Sequence, residues 1–399
     1  MALYDMVVVG ARCAGAPTAL LAARAGCRVL LLDRARFPSD TISTHLVHQP
    51  GVAMLARWGV LDAVVATGCP PIESNSYHVA DVHLHGASEA SAGHTAAFAP
   101  RRHLLDQVLV DAALDAGADF RDQATVVDLL WSDSGVCGVR YRSPDGTMHE
   151  ERCRLVVGAD GMRSTVARLV RTPMVLEDPT LTCVYYAYWT DLPVRMELYE
   201  TPGRFAGIIP TNDDLTVVAL YYPQWEFEAV RHDARRAYLE NVRRIVPTLS
   251  DVRSAHGRFG KLYGMGDQRN FFRAAQGPGW VLVGDAGHHK DSITARGISD
   301  AFLQVELLAE LVFPHLTDPA KFRDAQAMYE MARDNQMTES YHNTLSVARL
   351  AMQEDRVRLL KVIERDQRLV DRYFSIVSGV LSVEAVFTPE VLADAMRVS

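Results

Sequence analysis

The segment VVVGARCAGAPTALLAARAGCRVLLLDR, residues 7–34, sets two apolar runs around a stretch rich in small residues. Residues 5 to 9 read as a buried strand, residues 14 to 26 as a helix of small side chains, and residues 28 to 32 as a second strand ending at Asp33. Strand, tight turn, helix, strand, acid is the order of a nucleotide-binding βαβ unit. The Gly-x-Gly-x-x-Gly fingerprint is altered, however, to Gly10-Ala11-Arg12-Cys13-Ala14-Gly15. In such a turn the first glycine allows the sharp bend, the second lets the backbone approach a pyrophosphate, and the third lets the helix pack closely on the strand. Gly10 and Gly15 keep the first and third roles. Arg12 brings a Cβ and a cation to the second, so a pyrophosphate either sits further out or is met by the guanidinium as well as by the helix N-terminus. Asp33 lies 23 positions beyond Gly10, where an acid hydrogen-bonds a ribose hydroxyl and favours an adenosine ribose without a 2′-phosphate. Read by itself, the segment also fits a small-residue turn with no ligand.

Composition narrows the classes. The chain has 399 residues, 48% hydrophobic and 23% charged, enough for one large or two closely packed domains. A net charge of −8 and the lack of a dense basic block argue against nucleic acid as the main partner. There is no apolar run of membrane-spanning length, and the apolar start at Met6–Val9 has no cationic leader, so a cytoplasmic protein is expected. Six scattered cysteines form no Cys-x-x-Cys pair and are expected as free, mostly buried thiols. His45 and His48 with Asp40 nearby bring no further ligand at sensible spacing, and no metal is expected.

Further along, RRHLLDQVLVDAALDAG (101–117) has helical apolar spacing from Leu104 onward, and strand-like pieces follow at 124–130, 136–142 and 153–158. Residues 181–222 read as antiparallel strands with turn residues between them, WVLVGDAG (280–287) as another buried strand, and the chain from Gly297 as chiefly helical, with a helix start at Thr388-Pro389-Glu390. Two strand exits stand out: LVVGADGMRSTVARLV (155–170), with Asp160-Gly161, and GWVLVGDAGHHKDSITARGISDAF (279–302), with Gly284-Asp285.

Taken in order, the Gly10–Gly15 turn, the Arg-x-x-Leu-Asp helix start at Arg102, the Asp-Gly at 160 and the Gly-Asp at 284 resemble the FAD-dependent aromatic hydroxylase superfamily. This is the p-hydroxybenzoate hydroxylase-like group, whose fold is shared by geranylgeranyl reductases and flavin-dependent halogenases. The resemblance implies an α/β fold: a Rossmann-like FAD-binding βαβ domain (1–75, 98–180 and 270–315) interleaved with a mostly antiparallel β-sheet substrate domain (76–97 and 181–269), and a helical C-terminal region (316–399). It implies FAD held by the turn Gly10, Arg12, Cys13, Ala14 and Gly15, by Asp33 and Arg34, by Thr44 and His45 in the loop FPSDTISTHLVHQPG, and by Arg102, with Arg101 as the competing arginine. Gly284 and Asp285 would meet the ribityl chain, and Asp160 would support FAD while contributing to nicotinamide recognition; a helix-capping acid is the plainer reading of Asp160. The stretch ending in Arg296, Gly297 and Ile298 would pass the pyrimidine edge of the flavin, where a helix N-terminus stabilises negative charge. Ser292 stands where the family has proline, and Ala295 where it has the first of two glycines.

The implied activity is a monooxygenase that uses NAD(P)H as co-substrate and O2, through a C4a-hydroperoxyflavin, to hydroxylate or epoxidise a small aromatic or polycyclic molecule, as a monomer or homodimer. The alternatives are a geranylgeranyl reductase-type enzyme, a halogenase, whose Trp-x-Trp-x-Ile-Pro signature is missing, and a non-catalytic flavoprotein. In CVYYAYW (183–189) the period-2 rule sets Val184, Tyr186 and Tyr188 on one face and Tyr185 and Trp189 on the other. Tyr186, Tyr188 and Tyr222 are the expected substrate-facing aromatics. The catalytic acid or base is not identifiable; His45, His288 and His289 are the candidates, and at most one of the adjacent pair His288 and His289 would face the site.

Overall fold

The strands that read as uninterrupted apolar runs lie at the centre of a parallel sheet. In the computed structural model, which describes residues 4–192, 195–249 and 259–397, strand Tyr4–Val9 pairs in parallel with Val29–Leu32 on one side and with Met148–Gly158 on the other. Asp119–Arg121 and Trp280–Leu282 extend it outward, again in parallel. Both faces are covered, which is why Val29–Leu32 is buried at every position. On one face lie the helices Gly15–Arg24, Arg102–Asp115 and Gly297–Leu311; on the other, the hairpin Thr125–Ser132 and Gly135–Arg142 and the short helix Thr165–Leu169. Because the strands run in one direction, Gly10, Asp33, Asp160 and Gly284-Asp285 all fall at the carboxyl ends of the strands, the edge where open α/β sheets bind ligands.

A second sheet of seven strands is antiparallel except where Met196–Thr201 runs beside Asn75–Val79. Its order is Phe259–Met265, Thr182–Trp189, Thr216–Pro223, Arg204–Pro210, Met196–Thr201, Asn75–Val79 and Val82–Gly86. Alternation separates Tyr185 and Trp189 from Tyr186 as expected, with Tyr222 on the face of the former. Tyr185, Trp189 and Tyr222 pack on one face under helix Ala234–Ile245, while Tyr186, Phe205 and Tyr221 face Ile293 and the C-terminal helices Glu354–Glu364 and Gln367–Ser378. The stretches 193–194 and 250–258 of the expected sheet domain, and residues 1–3 and 398–399, lie outside the described residues.

From Gly297 on, the described chain is helical, including the 30-residue helix Pro319–Ala348, capped by Asp318, which accepts from the amides of Ala320 and Lys321. Its fully buried Arg333 donates to the carbonyls of Arg273 and Gly287 and ties the helix to the strand exit beyond Asp285. All six cysteines are free thiols, four of them buried. Among the described residues no helix is long and apolar enough to cross a membrane.

Candidate functional site

The turn after the first strand is as tight as its glycines suggested. Gly10 has φ +99°, and a Cβ there would lie 2.4 Å from the carbonyl oxygen of Ala159. A Cβ on Gly15 would lie 1.6 Å from the carbonyl oxygen of Gly10. Ala14 fits against Gly284, where an added Cβ would come within 2.9 Å of the Ala14 methyl, so the first and last motifs of the sequence pack against each other.

Arg12 turns away from the strand edge. Its guanidinium donates to Asp106 Oδ2 at 2.7 Å and to the carbonyl and hydroxyl of Ser39, with Phe37 beneath it. Asp106 is fully buried and also accepts from Arg102 Nε and Nη2, at 3.0 and 3.2 Å, and from the Cys13 thiol. Burial opposes the charge on Arg102, yet Asp106 more than offsets it and keeps the guanidinium firmly protonated; burial pushes the Cys13 thiol up. One carboxylate thus fastens the turn to the helix Arg102–Asp115. Sequence reasoning passed over Asp106 as a site residue, although its signal was present: it stands four residues after Arg102 on one helix face. Of the two arginines, Arg102 is the buried one, while Arg101 pairs with Asp40 and Asp213 nearer the surface and lies over the ring of Tyr188.

The acids at the strand ends divide by role. Asp33 is nearly buried, and its two oxygens accept from the amides of Ala11 and Ala35, which braces the turn; each carboxylate oxygen has a further lone pair for a ribose hydroxyl. Arg34 beside it is exposed. Asp160 accepts from the Ser164 hydroxyl and from the amides of Thr165 and Val166, the first of the helix Thr165–Leu169 that Ser164 caps, and its burial pushes the carboxyl up. Asp285 differs from both. It is the one exposed residue in the run Trp280–His288, and among the described residues its carboxylate has no hydrogen-bond partner, although Arg102 and Lys290 are near enough to act on it electrostatically. A carboxylate at the end of a buried strand, beside a turn in which side chains have no room, is placed to accept from the ribityl hydroxyls of FAD. Asp285→Ala is therefore expected to fold with near-normal stability but to bind FAD about 10–100-fold more weakly, the loss of charge-assisted hydrogen bonds to hydroxyls. Titration of FAD-stripped protein by flavin fluorescence reads this directly, and unchanged affinity would remove Asp285 from the site.

The loop 292–297 carries its two departures without changing course. Ala295 takes a left-handed φ of 53°, the conformation glycine would supply, and Ser292 donates to Gln268 Oε1 where proline has no such group. The helix Gly297–Leu311 then begins with open space around Gly297, with Ile298 buried beneath. Under this start lies an ion pair of Lys290 and Asp300 at 2.6 Å, with Arg296 Nη2 3.6 Å from the same carboxylate and the Arg296 Nε without a partner among the described residues. His48 sits against this group, and burial, then Arg296, brings its pKa down to about 3.

The three candidate histidines come apart in space. His288 is buried against Phe272 and Tyr341, and burial holds its ring well below the usual imidazole range. His289 lies on the opposite side of the strand, hydrogen-bonded to the carbonyl of Arg269. His45, at a left-handed φ of 66°, places Nε2 2.6 Å from the Tyr188 hydroxyl while its buried Nδ1 has no partner. Burial, with the two arginines 101 and 102, brings it to about 3, so it is neutral at physiological pH.

Next to the 292–295 loop a pocket opens between the seven-stranded sheet and the C-terminal helices. Its walls are mostly apolar, with Met196, Leu198, Phe205, Ile209 and Tyr221 from the sheet, Ile293 and Thr44 from the loops, and Tyr373, Phe374 and Val377 from the last helices. This corrects the expected aromatics. Tyr222 faces the other side of the sheet, under Arg204, because the inward residue of that strand is Tyr221. Tyr186 and Tyr188 are on the cavity side but stack with Tyr263 and His45 rather than lining it.

With this geometry in view, residues 4–319 match a family described as "FAD binding domain". The chain is 25% identical over 359 residues to digeranylgeranylglycerophospholipid reductase 1 of Methanopyrus kandleri, over 87% of this chain and 89% of that one. Among solved structures it is similar to the flavin-dependent brominase Bmp2, with TM-score 0.81, 18% identity and 99% and 98% of the two chains covered. It is also similar to PqsL, a probable FAD-dependent monooxygenase from Pseudomonas aeruginosa, with TM-score 0.72, 19% identity and coverage of 95% and 100%. These two likenesses bear on the fold.

Proposed function

This chain belongs to the FAD binding domain family and is a flavin-dependent oxidoreductase, and from that premise we propose that it is a monooxygenase using NAD(P)H and O2 to place one oxygen atom on an aromatic or polycyclic small molecule. The observation that carries the reading is the aromatic-walled pocket bordered by the 292–295 loop, where the flavin edge would lie. Its apolar walls would exclude the water that would otherwise drain a reactive oxygen species.

The residues of the chain divide the work. Gly10, Gly15 and the N-terminus of the helix Gly15–Arg24 would receive the diphosphate, Asp33 the adenosine ribose, and Asp285 with Arg102 the ribityl chain. Arg12, Cys13, Ala14 and Asp106 hold that turn in shape from behind. The start of the helix Gly297–Leu311, with Arg296 beside it, would present positive potential to the pyrimidine edge of a bound flavin, where negative charge on reduction is stabilised. Bound FAD supplies electron transfer from the nicotinamide and activation of O2. Phe205, Tyr221 and Phe374 hold a planar acceptor beside it and keep water out.

A second reading, a reductase acting on a polyprenyl double bond, is favoured by the identity over most of the chain to the Methanopyrus reductase. The experiment that separates them is NADH and NADPH oxidation by the FAD-loaded protein, screened against aromatic and polycyclic compounds in an oxygen electrode. The monooxygenase consumes one O2 per nicotinamide oxidised in the presence of its substrate and makes a product one oxygen heavier. Substrate-stimulated oxidation that persists without O2 and yields a saturated product would overturn the proposal in favour of the reductase.

A further inference from the structure

The wall of the cavity opposite the 292–295 loop carries a buried polar group that the proposed reaction has not used. Arg356, from the helix Glu354–Glu364, reaches the cavity and donates to Glu200 Oε1 at 2.6 Å and to the Tyr77 hydroxyl at 2.5 Å. Tyr77 in turn donates to Glu200, and the ring of Tyr373 lies parallel to that of Tyr77. Arg356, Tyr77 and Tyr373 line the cavity, while Glu200 is buried behind them, 3% exposed. Burial disfavours the charge on Arg356, but Tyr373, Tyr77 and Glu200 around it more than offset this.

Position and charge together say what this wall can hold. Tyr221, whose hydroxyl contacts Ser292, lies on Thr216–Pro223, and Tyr77 lies on Asn75–Val79; two strands intervene. Three strand spacings make about 14 Å, so the polar wall is a ring system's length from the flavin end. Between them Gly207 leaves the floor low: a Cβ there would meet only Leu198, at 3.7 Å. The guanidinium still has unused N–H groups, but its positive charge is already matched by Glu200. A second carboxylate brought here would sit beside the buried Glu200, whose charge already offsets that of Arg356. A neutral oxygen acceptor would take the free N–H groups at no such cost.

We propose that Arg356 and Tyr373, with Glu200 behind them, form a specificity wall that recognises a neutral oxygen function, a ketone, quinone or un-ionised phenol, at the far end of a fused-ring substrate, and that Glu200 is the residue that turns carboxylated rings away. The inference rests on the reading of this cavity as the substrate site, but not on the oxygenation chemistry, so it is tested by binding. Equilibrium dialysis of the FAD-loaded protein compares 2-acetylnaphthalene with 2-naphthoate at neutral pH. The wild type is expected to bind the ketone at least about 10-fold more tightly. Glu200→Gln keeps one acceptor oxygen for Arg356, turns the Tyr77 contact into an amide N–H donating to the phenol oxygen, and removes the opposing charge; it shifts the preference toward the carboxylate by about 10-fold or more. Arg356→Gln weakens the ketone about 5–10-fold. Gly207→Val, which fills the floor, removes binding of both probes and so assigns them to this cavity. A wild type that binds 2-naphthoate as well as the ketone, or binds neither, overturns the proposal without recourse to a variant, and so does a Glu200→Gln protein of unchanged preference.

Discussion

Asp106→Ala is expected to destabilise the folded protein by about 3–5 kcal/mol, the cost of removing one partner from a buried ion pair and leaving the other uncompensated. The stranded partner is Arg102, 9% exposed and bound to Asp106 through both Nε and Nη2. Arg12 is the milder loss, because its side chain is 24% exposed and can turn to water. The comparison with Arg12→Gly makes this a test of geometry rather than of charge count. In that variant Asp106 keeps Arg102 and the Cys13 thiol, so about 1–2 kcal/mol is expected, and FAD is expected to remain because the guanidinium already points at Asp106 and Ser39. Urea unfolding of both variants, followed by far-UV circular dichroism and by flavin absorbance, separates the two numbers. Equal destabilisation by both, or loss of FAD from Arg12→Gly alone, would mean that Arg12 serves the cofactor directly.

That pair also shows what a sequence can and cannot disclose. The βαβ unit was legible because its strands are buried on both faces and therefore read as unbroken apolar runs, and because Gly10 and Gly15 stand where no side chain fits. The division of Tyr185 and Trp189 from Tyr186 followed from a period of two, which depends only on the strand being a strand. What stayed hidden depends on pairing across long separations. Whether Arg12 faces a phosphate or an acid is decided by Asp106, 94 residues away, and the choice between Tyr221 and Tyr222 by which face of the sheet the last helices cover. The polar wall joins Tyr77, Glu200 and Arg356 from three distant segments, and no spacing in the chain brings them together. Asp160 lies between these cases: an acid shortly before a helix reads as a ligand or as a cap, and here it accepts from the first amides of the helix that Ser164 caps.

Gly15→Ala sets two effects of opposite sign against each other. Alanine is the better helix former by about 1 kcal/mol, and Gly15 opens the helix Gly15–Arg24, so propensity alone predicts a gain. Sterics predict the reverse. The new methyl would stand 1.6 Å from the Gly10 carbonyl oxygen and 3.2 Å from the Cβ of Ala159. Neither neighbour can yield cheaply: the first is backbone in a turn that Gly10 already holds at φ +99°, and Ala159 follows the adjacent parallel strand. The helix start must therefore move off the sheet, at a cost of about 3 kcal/mol or more, which exceeds the propensity gain. Movement there also displaces the amides that would receive the diphosphate, so FAD is expected to be lost together with stability. Gly26→Ala is the matching control, since it has φ +84° but open space around the added carbon; it should cost only about 1–2 kcal/mol and keep FAD. A Gly15→Ala protein that retains FAD and unfolds with the wild type would show that the turn is not the seat of the diphosphate, and the assignment of Gly10, Gly15 and Asp285 to one cofactor site would fall with it.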